Sequence, residues 1–209
     1  MTCVVGFAAA NNVFLASDSG FSDNSSSTAS KSKKIFHKGS YIIGYAGLAG
    51  IGQHVCHNFN SVDLSKINND NFMETEFIPS LRTFLDDTAP SSYSEKMSEE
   101  NSTDFIVGVN GRLFEITTYD FQCSEYDFSA IGSGSLVAMG YVRAHRDGSS
   151  YLSEESSKYW TGLYLKKEDA YEYYRKLAIN CVKASCEIDP FCKEPVQFIS
   201  LNNTKTKTV

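Results

Sequence analysis

Short apolar runs open the chain. Val4 to Ala10 and Val13 to Ala16 are separated by Asn11-Asn12, a dipeptide that tolerates positive φ, so residues 2–10 and 13–17 read as strands of a tight hairpin. Two more strand-like runs follow at 33–37 and 41–45. The period then changes: Leu48, Ile51, Val55 and Phe59 recur at three and four positions, which predicts a helix with one buried stripe, starting in the glycines after Ala46. A second helix fits Phe72 to Leu85, with Phe77, Leu81, Phe84 and Leu85 on one side. Residues 86–103, rich in Ser, Asp and Glu, read as an exposed loop. Strands resume at 104–109 and 112–118, joined by the hairpin signal Asn110-Gly111, and again at 127–131. Helices are expected over 135–144 and from Lys167 to about Ser185, the second helped by Glu168 and Asp169 in its first turn. A strand at 196–201 closes the fold, and the polar tail 202–209 reads as disordered or available for docking.

The first hairpin has a chemical consequence. A two-residue turn folds the chain back on its own start, which makes Thr2 and the stretch Ser17-Asp18-Ser19-Gly20 neighbours on adjacent antiparallel strands. Removal of Met1 would give Thr2 a free α-amine. Such an amine, with an unperturbed pKa of about 7.7 to 8.0, takes the proton of the residue's own hydroxyl at neutral pH and so activates it as a nucleophile. Lys34, in the next extended stretch, can bring an ammonium to Asp18 and to that hydroxyl, where neighbouring charges tune one another. Each feature also has a plainer use. Asp18 between two serines suits a local turn, Gly47 with Gly50 and Gly52 suits a strand-to-helix transition, and Ser133 or Ser135 suits a helix N-cap.

Composition narrows the class. With 209 residues, 42% of them hydrophobic, the chain suffices for one well-buried core, and a single domain over 1–209 is expected. No run of 18 or more apolar residues and no secretory signal is present, so a cytoplasmic protein without a membrane span is expected. Net charge is −6 with the basic residues dispersed, which argues against nucleic acid; Lys31 and Lys33 suit a solvated strand edge. Six cysteines without a CxxC pair indicate neither zinc nor a disulfide framework, and His37, His54, His57 and His145 lack metal-ligand spacing. No metal or other cofactor is expected. No GxxxxGK[ST] loop occurs, so any ATP dependence must come from a partner. The aromatic residues Tyr159, Trp160, Tyr164, Tyr171, Tyr173 and Tyr174 suit either a subunit contact or the core.

In order and spacing, Thr2, Asp18 in Ala16-Ser17-Asp18-Ser19, Lys34 in Lys33-Lys34-Ile35, Gly47 in Tyr45-Ala46-Gly47-Leu48-Ala49-Gly50 and Ser133 in Gly132-Ser133-Gly134-Ser135 form one set. Sixteen positions separate Thr2 from Asp18, and sixteen more separate Asp18 from Lys34. This set resembles the β-subunits of proteasomes and the related HslV-type peptidases, members of the N-terminal nucleophile hydrolase superfamily. The resemblance covers residues 2–53 and 104–144, weakens over 167–201 and is absent from 145–165.

It implies an α+β fold, a four-layer αββα sandwich of two antiparallel sheets between helical layers. It further implies a threonine-type peptidase. Thr2 would be nucleophile and base, Asp18 and Lys34 the supporting charges, Ser133 a partner of the terminal amine, and the Gly47 N–H the oxyanion donor. Tyr45 lines the pocket for the residue before the cut bond and Phe21 adds to its wall, so small or medium residues are expected there. The assembly implied is a homo-oligomer of hexameric or heptameric rings, stacked, fed peptide or unfolded protein by an AAA+ unfoldase.

One stretch departs from the family pattern. Relatives carry an aspartate and a serine just past the long helix, and the alignment places Cys186 at the aspartate; Glu187 or Asp189 would require a shift of one to three residues, next to Pro190. Asp189 therefore stays outside the expected site. That departure leaves two other readings open: an inactive or structural assembly subunit of the same fold, and an N-terminal nucleophile amidohydrolase acting on a small amide. Cys3 is set aside as the nucleophile, because alternation along a strand turns it away from Thr2.

Overall fold

The register of the first hairpin places the rest of the molecule around it. In the computed structural model, which describes residues 2–22, 26–60, 71–89, 102–150 and 167–208, β1 (Val4–Ala9) pairs antiparallel with β2 (Asn12–Ser17), Ala9 opposite Asn12. The tight turn falls one residue earlier than Asn11-Asn12: Ala10 and Asn11 take φ of 51° and 55°, the double left-handed geometry whose twist suits a two-residue hairpin.

Among the described residues, two five-stranded sheets result. The first has the order β10-β1-β2-β11-β12, with β10 Phe128–Ile131, β11 Gln197–Ser200 and β12 Asn203–Thr208. The second has the order β5-β6-β7-β8-β9, from Ile35–Lys38, Tyr41–Gly47, Thr103–Val109, Arg112–Thr117 and Cys123–Tyr126. A small hairpin, β3 (Gly20–Ser22) with β4 (Ser27–Ala29), stands apart. The helices are α1 (Ala49–Asn58), α2 (Ile78–Thr88) entered through a π-helical turn at Met73–Phe77, α3 (Ser135–Ser150) and α4 (Lys167–Ile188).

Three apolar clusters define the layers. Val4, Leu15, Ile42, Ala46, Ile106 and Ile131 fill the space between the sheets. On the outer face of the second sheet, Tyr41, Ile43 and Tyr45 pack with Val55, Phe77 and Leu81 of the α1 and α2 side. On the outer face of the first, Cys3, Val5, Phe7 and Phe14 pack with Ala138 of α3 and with Tyr174, Ala178 and Val182 of α4. Alternation along β1 assigns these faces: Val4 turns toward the second sheet and Cys3, Val5 and Phe7 toward the helices. This is the expected α+β four-layer sandwich.

Several boundaries differ from the sequence reading. The polar tail, expected to be disordered or available for docking, forms β12 along the edge of β11, so 203–208 extends the sheet. β3, β4 and β9 escape a search for alternating apolar residues because they are short and largely polar at the surface. In the expected 86–103 loop, α2 continues to Thr88 and β7 begins at Thr103, while 90–101 lies outside the described residues. α3 and α4 run on to Ser150 and Ile188. Among the aromatics left between contact and core, Tyr171, Tyr173 and Tyr174 pack with the apolar layer under α4, Tyr174 against Phe7 and Phe14; Tyr159, Trp160 and Tyr164 lie outside the described residues.

Candidate active site

The hairpin carries its ladder past the ends of its strands, and this brings the first chemical groups together. The Asp18 N–H donates to the Cys3 carbonyl (3.1 Å), while the Cys3 N–H donates to Asp18 Oδ1 (3.0 Å). Asp18 is fully buried, and its second oxygen accepts from the Gly20 and Lys193 N–H groups at 2.7 and 3.2 Å. Lys34, just ahead of β5 and 1% exposed, donates from Nζ to Asp18 Oδ1 at 2.8 Å and to Thr2 Oγ1 at 2.6 Å. Its own N–H reaches Gln197 Oε1 (3.3 Å), which ties the lysine to β11. Both charges leave water only because they are paired and further hydrogen-bonded.

The turn after β10 packs against the Thr2 backbone. Gly132 adopts φ +89°, and a Cβ there would stand 2.2 Å from the Thr2 carbonyl oxygen, so only glycine fits. The Gly134 N–H donates to that oxygen (3.2 Å), and the Thr2 N–H donates to Ser133 Oγ (3.3 Å). Ser133 in turn donates to Asp189 Oδ2 at 2.6 Å. Ser185 anchors α4 to the same turn by donating to the Gly134 carbonyl (2.9 Å).

Asp189 is a site residue that the sequence pattern does not supply. α4 ends at Ile188, so Cys186 lies within the helix and Asp189 is the first residue past it. The available signal is Pro190. A proline opposes a helical conformation at the residue before it, which marks Asp189 as the first residue beyond the helix. Cys192 donates to the same oxygen, Asp189 Oδ2, at 3.4 Å.

Partial burial pushes the Asp189 pKa up, but hydrogen bonds from Ser133, the Phe191 N–H and the Cys192 thiol outweigh it and hold the carboxyl below the usual range. A carboxyl whose folded value lies below its unfolded value, about 3.9, contributes stability that is fully present above that value and is lost as pH falls through the folded one. Asp189→Asn is therefore expected to be less stable than the parent by about 1 kcal/mol at neutral pH. In urea titrations the gap should begin to narrow below a pH of about 4 and close as the pH falls through the lower folded value.

The remaining expected residues lie around this centre. Gly47, at the exposed end of β6, has φ +111°, and a Cβ there would meet the Ser102 carbonyl at 2.3 Å. Its neighbour Ala46 packs beside Gly132, with its Cβ 3.1 Å from where a Gly132 Cβ would stand. Phe21, on β3 and half-buried, places its ring under the Lys34 ammonium, 5.1 Å from Nζ to the centroid. Tyr45 is buried between β6 and α1, so close to Gly52 that a Cβ there would stand 2.0 Å from its Cδ2. Cys3 points away from Thr2 to Ser185 Oγ (3.4 Å), and burial pushes its thiol pKa up to about 12. His54 and His57 serve α1 locally, His54 against Phe84 and Thr88, and His57 against Phe36.

Two antiparallel sheets between helical layers, with a threonine at the head of the first strand, define the sandwich of the N-terminal nucleophile hydrolases. Residues 1–158 match the family model described as "Proteasome subunit", and the chain belongs to the proteasome subunit family. Among solved structures it is similar to Thiobacillus denitrificans BPH in complex with epoxomicin, with 16% identity, a TM-score of 0.66, and 95% of this chain and 97% of that chain covered. A second structure of Thiobacillus denitrificans BPH gives 15% identity, a TM-score of 0.65, and 95% and 96% coverage. At these identities the likeness is one of fold. A search of curated protein sequences finds no significant match. Among the described residues, no helix is long and apolar enough to cross a membrane.

Proposed function

We propose that this chain is a threonine-type peptidase subunit that cuts peptide bonds through Thr2 after loss of Met1. The observation that carries this reading is the contact of Lys34 Nζ with both Thr2 Oγ1 (2.6 Å) and Asp18 Oδ1 (2.8 Å). The Thr2 hydroxyl attacks the substrate carbonyl carbon and gives its proton to the α-amine, while the adjacent Lys34 ammonium favours the deprotonated hydroxyl. The carbonyl oxygen gains the charge and accepts from the Gly47 N–H. Collapse breaks the C–N bond; the α-amine passes its proton to the leaving amine, and the acyl group remains on Thr2 Oγ1 as an ester. Water, deprotonated by the same amine, hydrolyses that ester and restores the hydroxyl.

Ser133 and Asp189 orient the amine. The contact of Asp189 with Ser133 supports this role and weighs against the inactive-subunit reading that the departure over residues 184–190 left open.

Family membership implies ring-forming assembly, and we extend it to this chain as a homo-oligomer of hexameric or heptameric rings in the cytoplasm. With no nucleotide loop of its own, it would receive unfolded protein from an AAA+ ATPase. The panel that tests this reading is a set of fluorogenic peptides differing in the residue before the cut. Cleavage by the mature chain is expected, with small or medium residues favoured on the expectation that Tyr45 and Phe21 line the pocket; a preference for bulky aromatics would contradict the pocket assignment. Epoxomicin, which occupies the similar BPH, is expected to block that cleavage.

A further inference from the structure

The Lys34 ammonium has three protons to place, and oxygen acceptors are in contact on two sides, Thr2 Oγ1 and Asp18 Oδ1. A third neighbour is aromatic: Nζ lies over the ring of Phe21, 5.1 Å from its centroid. Lys34 itself is only 1% exposed, whereas Phe21 is half-buried, so the ring contributes the solvent side of the cluster. Its strand is fixed to the same charge pair. The Gly20 N–H, one residue before Phe21, donates to Asp18 Oδ2 (2.7 Å), and a Cβ on Gly20 would collide with that oxygen and with the Phe191 carbonyl, at 2.7 and 2.4 Å. β3 is thus pressed onto the carboxylate that holds the lysine, and the pairing of Phe21 with Thr28 on β4 sets the ring's height.

An ammonium held by an aromatic face is attracted by the ring's negative quadrupole, and the attraction strengthens where water is excluded. An aliphatic side chain of similar bulk would cover the site without that attraction. Opening the cover would let water compete with Thr2 Oγ1 for the ammonium's protons.

We propose that Phe21 is a positioning residue for Lys34: its ring holds the ammonium against the Thr2 hydroxyl and seals the Thr2–Lys34–Asp18 cluster from water. This is separate from any contact of Phe21 with substrate, and only its kinetic consequence rests on the peptidase reading.

The test compares Phe21→Tyr, Phe21→Leu and Phe21→Ala with the parent, each checked for folding by urea denaturation. The first readout is competitive acetylation by acetic anhydride, followed by peptide mass spectrometry, with exposed Lys31 and Lys33 as internal references. Lys34 is expected to be protected in the parent and in Phe21→Tyr. In Phe21→Leu its labelling should rise by roughly two- to thirty-fold, the range a cation–π contact spans, and in Phe21→Ala by more. The second readout is peptide cleavage: kcat should fall over the same range in Phe21→Leu and return in Phe21→Tyr, while changes in KM report the pocket wall.

Labelling of Lys34 in Phe21→Leu equal to that in the parent would overturn the proposal, and Phe21→Leu decides this even if Phe21→Ala does not fold. If labelling moves as expected but the mature parent cleaves nothing, the positioning role stands and the peptidase reading fails. Cleavage by the parent with unmoved labelling reverses that conclusion.

Discussion

Thr2→Ala is expected to abolish peptide cleavage, lowering kcat by at least about 1000-fold, because it removes the attacking atom while leaving the surrounding donors in place. Thr2→Ser retains the hydroxyl and the α-amine and should keep most of the activity. The fold should survive Thr2→Ala. One Lys34 N–H loses its 2.6 Å acceptor, a buried loss of about 1–3 kcal/mol, whereas Asp18 keeps its lysine and its three backbone donors. Peptide assays on purified mature protein, paired with urea midpoints, check both parts. Comparable cleavage by Thr2→Ala and the parent would remove Thr2 from the chemistry.

Lys34→Met should damage activity and stability together. Without the ammonium, the Thr2 hydroxyl loses the charge that favours its deprotonation, a loss expected to cost about 100-fold or more in kcat, comparable to deleting an oxyanion donor. Asp18, 0% exposed, is left as a buried carboxylate without its cation, which should destabilise the fold by about 3–5 kcal/mol. The double variant Lys34→Met/Asp18→Asn separates the effects. Neutralising both members should return part of the stability and none of the activity, because the asparagine amide keeps one acceptor atom where the carboxylate offers two to backbone N–H donors. A double variant as unstable as Lys34→Met would mean that the stranded charge is not the dominant loss.

How far the sequence reaches follows from which distances are local. Thr2 and Asp18 meet because a two-residue turn leaves little freedom of register, and that turn is legible even though its centre is Ala10-Asn11 and not Asn11-Asn12. Gly132 is legible as a turn, but its tight fit against the Thr2 carbonyl depends on the pairing of β10 with β1, which no local pattern encodes. Asp189 escapes by less than one helical turn. The apolar stripe of α4 fades near Ser185, the helix continues to Ile188, and three residues separate Cys186 from the acid that reaches Ser133. Phe21 is legible only as pocket wall, since its neighbourhood to Lys34 joins a short polar strand to a lysine thirteen positions away. β12 escapes for a different reason: its polar residues carry no alternation, and it exists because the β11 edge offers unpaired backbone groups.

The chemistry proposed for Thr2 requires a free α-amine in the working protein. Intact-mass measurement of the protein purified from its native expression reads this out without any assay of activity. The expected mass is lower than that of the full 209-residue chain by one methionine residue, with Thr2 as the first residue on sequencing. A mass that still includes Met1, in protein that cleaves peptides, would rule out Thr2 as the amine-activated nucleophile.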